Sequence, residues 1–113
     1  MYLRCGKKPV NRMTTLCYQA RKRSISKGFE YDEGLKDLLR KDPPMICSCC
    51  NAPLDYELGK GRRNKKSPSL DRLDNSIGYT VDNTRVVCLR CNELKYNGTL
   101  DEFRTIVAYM ERK

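Results

Sequence analysis

Residues 69–95 read SLDRLDNSIGYTVDNTRVVCLRCNELK. A short strand is predicted from Ser69 to Leu73 and a second from Thr84 to Cys88, where Val86 and Val87 supply β-branched side chains. Between them, Asp74-Asn75-Ser76 and Gly78 are turn formers. The segment after Cys91 reads as a short helix carrying Asn92 and Lys95. The run is therefore strand, turned loop, strand, helix. It sets Asp71 near the end of the first strand and Asn92 at the start of the helix. A carboxylate and an amide oxygen facing each other can hold one Mg²⁺ or another divalent cation, with positions left for water and a phosphate.

Two C-x-x-C pairs, Cys47/Cys50 and Cys88/Cys91, bracket the first strand and the loop. Four thiolates suit a tetrahedral zinc ion, and soft ligands select zinc over magnesium or calcium. Residues 51–87 separate the pairs, room enough for an inserted hairpin. Cys49 is an alternative ligand in the first pair, but the matched spacing favours Cys47 and Cys50. Such a zinc would be structural, with a closed shell, and would pin Asn92 just after the second pair. Cys5 and Cys17 read as bystanders, Cys17 on an apolar helix face. The alternatives for all these thiols are plain core cysteines or a redox pair.

The whole chain has 113 residues, 7 cysteines and no histidine. That length suits a modest core, which a metal staple would reinforce. The missing histidine excludes imidazole ligands and any histidine general base. A net charge of +9 favours a polyanion partner, chiefly nucleic acid. No long apolar run predicts a membrane span, and MYLRCGKKPV lacks the apolar segment of a secretory signal, so a cytoplasmic protein is expected.

The stretch of roughly residues 45–103 resembles the HNH (ββα-metal) endonuclease family. The matching frame is D-R-x-D-x-x-x-G-Y-x-x-x-N followed by C-x-x-C-N-x-x-K, common in phage-borne members. It is also similar to a restriction-enzyme variant with Asp-Arg and Gly-Tyr at these places. The resemblance implies an α+β fold with a small ββα-metal core stapled by a four-cysteine zinc site and flanked by helices. It implies cleavage of DNA, expected to be double-stranded, with Asp71 and Asn92 on the catalytic cation and Asn83 positioning the loop.

This chain departs from the family at Arg72, where the water-activating histidine usually stands. Arginine stays protonated and is a poor general base. Two routes remain. In one, Tyr79 attacks the phosphorus, as the Gly-Tyr likeness implies, and the nearby Arg72 cation favours its phenolate. In the other, a metal-bound water attacks and Arg72 only stabilises charge on the phosphate. The structural alternatives are a turn followed by a packing aromatic at Gly78-Tyr79 and a turn pair at Asp82-Asn83. Lys95 reads as a phosphate contact or a solvated lysine.

Outside this core, residues 1–29 carry eight Lys/Arg and no Asp/Glu. A basic helix is predicted over 11–26, with Met13, Leu16, Cys17 and Ala20 on one face, and a second from near Asp32 with Leu35, Leu38 and Leu39 as its apolar stripe, stopped by Pro43-Pro44. This divides the chain into a basic helical region, 1–42, and the nuclease-like core, 43–113. Lys60, Arg62, Arg63, Lys65 and Lys66 crowd the loop before the first strand and are placed to grip phosphates. Thr99 and Glu102 form a capping box for a last helix whose buried face is expected to be Leu100, Phe103, Ile106, Val107 and Met110. Cutting both strands would take two copies, so a homodimer is expected to be possible. A reading from another class, a non-catalytic zinc-ribbon module that binds nucleic acid, uses the same cysteines and basic residues. It has no use for an acidic residue facing a phosphate.

Overall fold

A computed structural model describes residues 7–57 and 64–112. Among them the chain is a small α+β protein of four helices and one two-stranded antiparallel sheet. In chain order the elements are α1 (Lys7–Lys27), α2 (Gly34–Lys41), β1 (Pro68–Arg72), β2 (Thr84–Cys88), α3 (Leu89–Lys95) and α4 (Leu100–Glu111).

The helix α1 buries Met13, Leu16, Cys17, Ala20 and Ser24, the i, i+3, i+4 spacing of one helical face. It starts four residues before the expected position, and Gly28 ends it with a left-handed φ of 76°. The Phe29 amide then reaches back to the Ser24 carbonyl at 2.9 Å, closing the helix end as a glycine cap does. In α2 the Asp32 carboxylate accepts from the Gly34 amide at 2.9 Å, and Leu35 enters the core with Leu39 partly buried. Leu38, expected in the same stripe, is instead exposed, because this short helix turns only one narrow edge to α1.

The sheet pairs Leu70 with Val86 and Asp71 with Arg85. Alternation along β1 sends Leu70 to the core and leaves Ser69 and Asp71 together on the other face. Apolar residues of α1 and α2 share one core cluster with Leu54, Tyr56, Leu70, Val86 and Val87.

The capping box on α4 forms as expected, with Glu102 N bonding Thr99 Oγ1 at 3.2 Å and Thr99 N bonding Glu102 Oε1 at 2.9 Å. Its expected buried face does not. Leu100, Ile106, Val107 and Met110 are exposed, Phe103 is only partly covered, and α4 packs on no other element among the described residues. The amphipathic spacing is present, but the two-stranded sheet is already covered by α1 and α3 and offers α4 no further apolar surface.

Candidate functional site

The four sulfurs of Cys47, Cys50, Cys88 and Cys91 lie within 4.8 Å of one another and can hold a metal ion. The first pair sits on a tight turn. Cys47 N bonds Ala52 O at 2.8 Å, Asn51 N bonds Cys47 O at 3.0 Å, and Asn51 takes a positive φ of 65°. The second pair straddles the junction of β2 and α3, and the Ser48 amide ties the two together through Val86 O at 3.1 Å.

Burial pushes the Cys47 thiol up, but backbone N–H groups of Cys50, Cys88 and Cys49 point at its sulfur and more than offset this, bringing it down to about 6. Cys91 moves the other way, raised by burial and then by the neighbouring thiols. Beyond burial, the Cys91 shift reflects crowding: four sulfurs this close cannot all become thiolates without a cation among them. Cys49 is exposed and lies outside the four-sulfur group; its part is the N–H bond to Cys47 Sγ at 3.3 Å. Cys17 is buried in α1 as expected, and Cys5 lies outside the described residues.

The sulfur cluster fixes the start of α3. The Leu89 and Arg90 amides, free at a helix N-terminus, bond Ser67 O at 2.9 Å and Lys65 O at 3.0 Å. Asn92 is thereby laid against β1, where its Nδ2 donates to Ser69 Oγ at 3.0 Å and Leu70 O at 3.2 Å. One turn later Lys95 Nζ meets Asp71 Oδ1 at 3.2 Å, Arg72 O at 2.7 Å and Asn75 Oδ1 at 3.4 Å. Asp71 is 7% exposed, so this pair is shielded from water on most sides.

Asp71, Arg72, Tyr79 and Asn92 line one polar cavity of about 340 Å³, together with Ser69, Asn75, Tyr96 and, from α1, Gln19 and Arg23. Arg72 Nη1 donates to Asn75 O at 3.0 Å and Ile77 O at 3.2 Å, and its guanidinium lies 4.5 Å from the Phe29 ring centre and 5.3 Å from that of Tyr79. It therefore braces the loop and lies beside Tyr79 at once. The lining charges are Arg23 and Arg72 against Asp71, a balance that favours an anion.

The loop carrying Tyr79 is held from two sides. From within, Asn83 is 8% exposed and donates Nδ2 to Gly78 O at 2.9 Å, Asp74 O at 3.0 Å and Ile77 O at 3.3 Å, while its Oδ1 accepts from Asp74 N at 2.9 Å. Asn83 is thus a positioning residue and does not line the cavity. From outside, Tyr79 N bonds Glu30 O and Asp32 N bonds Tyr79 O, both at 2.9 Å. Gly78 permits this close approach: a Cβ there would stand 2.0 Å from the Glu30 carbonyl oxygen.

Of the loop cations, Lys65 pairs with Glu93 at 2.6 Å and Lys66 is exposed, both beyond the cavity lining. Lys60, Arg62 and Arg63 lie outside the described residues. Reading the sequence missed Ser69, Asn75, Gln19, Arg23 and Tyr96. Ser69 carried a signal, since it stands two residues before Asp71 on the same strand face. Gln19 and Arg23 carried none, because only the packing of α1 on β1 brings them here. Compared with protein-family models, curated proteins and solved structures, the chain matches none.

Proposed function

We propose that this chain is a metal-dependent DNA endonuclease of the HNH type, with a structural zinc in its four-cysteine cluster. The observation that carries the reading is the meeting of Asp71 and Asn92 in one polar, cation-rimmed cavity, on a strand and on a helix that the sulfur cluster fixes in register. Four thiolate donors within 4.8 Å of one another suit zinc, and a closed four-sulfur shell would leave it no position for substrate. Asn92 gives its amide nitrogen to β1, which leaves Oδ1 for a cation. Lys95 holds Oδ1 of Asp71, which leaves Oδ2.

A Mg²⁺ or similar hard ion bound between these oxygens would polarise the phosphoryl group and stabilise the leaving oxygen. The protein's own groups do the rest. Arg72 and Arg23 bring positive charge to the phosphate. Tyr79 Oη sits in the cavity wall, accepts a hydrogen bond from Arg23 Nη2 at 3.0 Å and is the nucleophile in the covalent route. The phenol would give up its proton to solvent and its oxygen would attack phosphorus. The bond to the leaving sugar oxygen would break, and that oxygen would take a proton from solvent. Water would later hydrolyse the phosphotyrosyl ester, freeing Tyr79 and leaving the phosphate on the DNA end.

One observation favours a second reading, a non-catalytic zinc module that binds nucleic acid: the Lys95 ammonium already compensates the Asp71 carboxylate. Supercoiled plasmid with Mg²⁺ separates the two. The nuclease reading expects nicking by the wild type and loss of at least about a hundredfold in Asp71→Asn, the scale of one removed catalytic electrostatic group. Equal cutting by both proteins would overturn the role given to Asp71, and no cutting by either across Mg²⁺ and Mn²⁺ would leave the binding module.

A further inference from the structure

We propose that α1 forms one wall of the substrate groove and that Arg23 binds a DNA backbone phosphate directly. The inference rests on the nuclease reading for the identity of the substrate, but it concerns a helix outside residues 45–103, where the family-like pattern lies. Three observations carry it.

Arg23 lines the cavity that also holds Asp71 and Asn92, and Gln19, one helical turn earlier on α1, lines it too. The guanidinium is fixed in place: Nη2 donates to Tyr79 Oη at 3.0 Å, with the cation 5.7 Å from the ring centre. Its charge is not compensated, because among the described residues no carboxylate pairs with it, whereas its neighbour Arg21 pairs with Glu33 at 3.0 Å. A guanidinium has five donors in a planar fork, and the phenol takes one. The remaining donors suit the two non-bridging oxygens of a phosphodiester.

Arg72, the cation expected at this place, has its Nη1 engaged by two loop carbonyls. Arg23 is therefore the residue better placed to meet substrate, with Gln19 beside it as a neutral donor. The substrate strand would pass between α1 on one side and β1 with α3 on the other.

The test measures binding of a short blunt DNA duplex without added divalent ion, using zinc-loaded protein over a range of NaCl concentrations. Each phosphate contact contributes about 0.9 to the slope of log affinity against log salt. Arg23→Gln is expected to weaken binding about tenfold and to reduce the slope by about one, the size of one lost contact. Arg23→Lys keeps the slope, because the charge remains, and covers the case in which the glutamine variant misfolds. The same substitutions in a Tyr79→Phe background decide between contact and positioning. A phosphate ligand loses affinity and slope there as well. If the Arg23→Gln effect vanishes once the phenolic oxygen is gone, Arg23 only holds Tyr79 and the proposal is overturned. An unchanged slope in the wild-type background overturns it too. None of these readings needs cleavage, so failure of the Asp71→Asn plasmid test would remove the nuclease reading while leaving this one to be decided by its own data.

Discussion

Replacing Asn83 by aspartate removes two protons and changes almost no volume, so it isolates what the amide does. In the native loop the Asn83 Nδ2 faces the carbonyls of Gly78, Asp74 and Ile77, and Oδ1 accepts from Asp74 N. Two protons make two full donor bonds at best, so three bonds in all are at stake. At about 1 kcal/mol net per bond, Asn83→Ala costs about 3 kcal/mol. Asp keeps the acceptor, loses both donors and sets a buried carboxylate against three carbonyl oxygens, so it costs at least as much as Ala. With an unfolding entropy of about 2.1 cal/mol/K per residue, a chain of 113 residues loses about 4 °C in Tm per kcal/mol, or about 13 °C for either variant. The assay is thermal unfolding by circular dichroism at a fixed excess of zinc. An aspartate variant melting within about 2 °C of wild type would show that the loop is not held by these donors.

Further outcomes follow from the same geometry. Gly78→Ala forces a methyl to 2.0 Å from a backbone oxygen, so the Tyr79 loop must leave the Glu30–Asp32 strap; faster amide exchange at Tyr79 and Asp32 is expected, and unchanged protection there would contradict the strap. Elemental analysis should find one zinc per chain, retained in Cys49→Ser and lost in Cys91→Ser; loss in the Cys49 variant would redraw the site. Chelation should unfold the chain, since thiolate zinc sites contribute about 10–16 kcal/mol in small domains, and a chelated protein that keeps its melting transition would refute the staple. Burial pushes the Tyr56 phenol up to about 12, partly opposed by Arg12. A raised value favours the neutral form in the fold, so this stability is whole below about pH 10 and is lost as pH rises toward about 12. Tyr56→Phe should therefore be less stable than wild type at pH 7, where it lacks the bond to Pro44 O, and should close that gap by pH 11; a gap constant with pH would contradict the burial argument.

The parts of the fold legible in the sequence were those decided locally. The two strands and the Thr99–Glu102 box are set by neighbours within a few residues, and each forms close to its expected place, whereas the short helix expected after Cys91 already begins at Leu89 and carries Asn92 in its middle and not at its start. The four metal-capable cysteines were legible because C-x-x-C spacing by itself brings two sulfurs together. What packing decides was not legible. The apolar stripe on α4 specified a face but not a partner, and no described element covers it. The loop function of Asn83 was readable as a turn residue, whereas the loop's second support, the Glu30 strap, lies nearly fifty residues away in sequence. Arg23 shows the same limit more sharply: it falls within the basic helix expected over 11–26, and only the seating of α1 on β1 turns it into the cavity.

The central claim is that a second cation sits between the Asp71 carboxylate and the Asn92 amide oxygen, apart from the metal on the cysteines. Anomalous diffraction at the manganese edge, from crystals of zinc-loaded protein soaked with Mn²⁺ and a non-cleavable DNA, tests it directly. A manganese peak is expected in contact with Asp71 Oδ2 and Asn92 Oδ1, with Lys95 shifted or holding only the other oxygen. No peak there at saturating Mn²⁺, with Lys95 still bridging Asp71 and the Arg72 carbonyl, would contradict it.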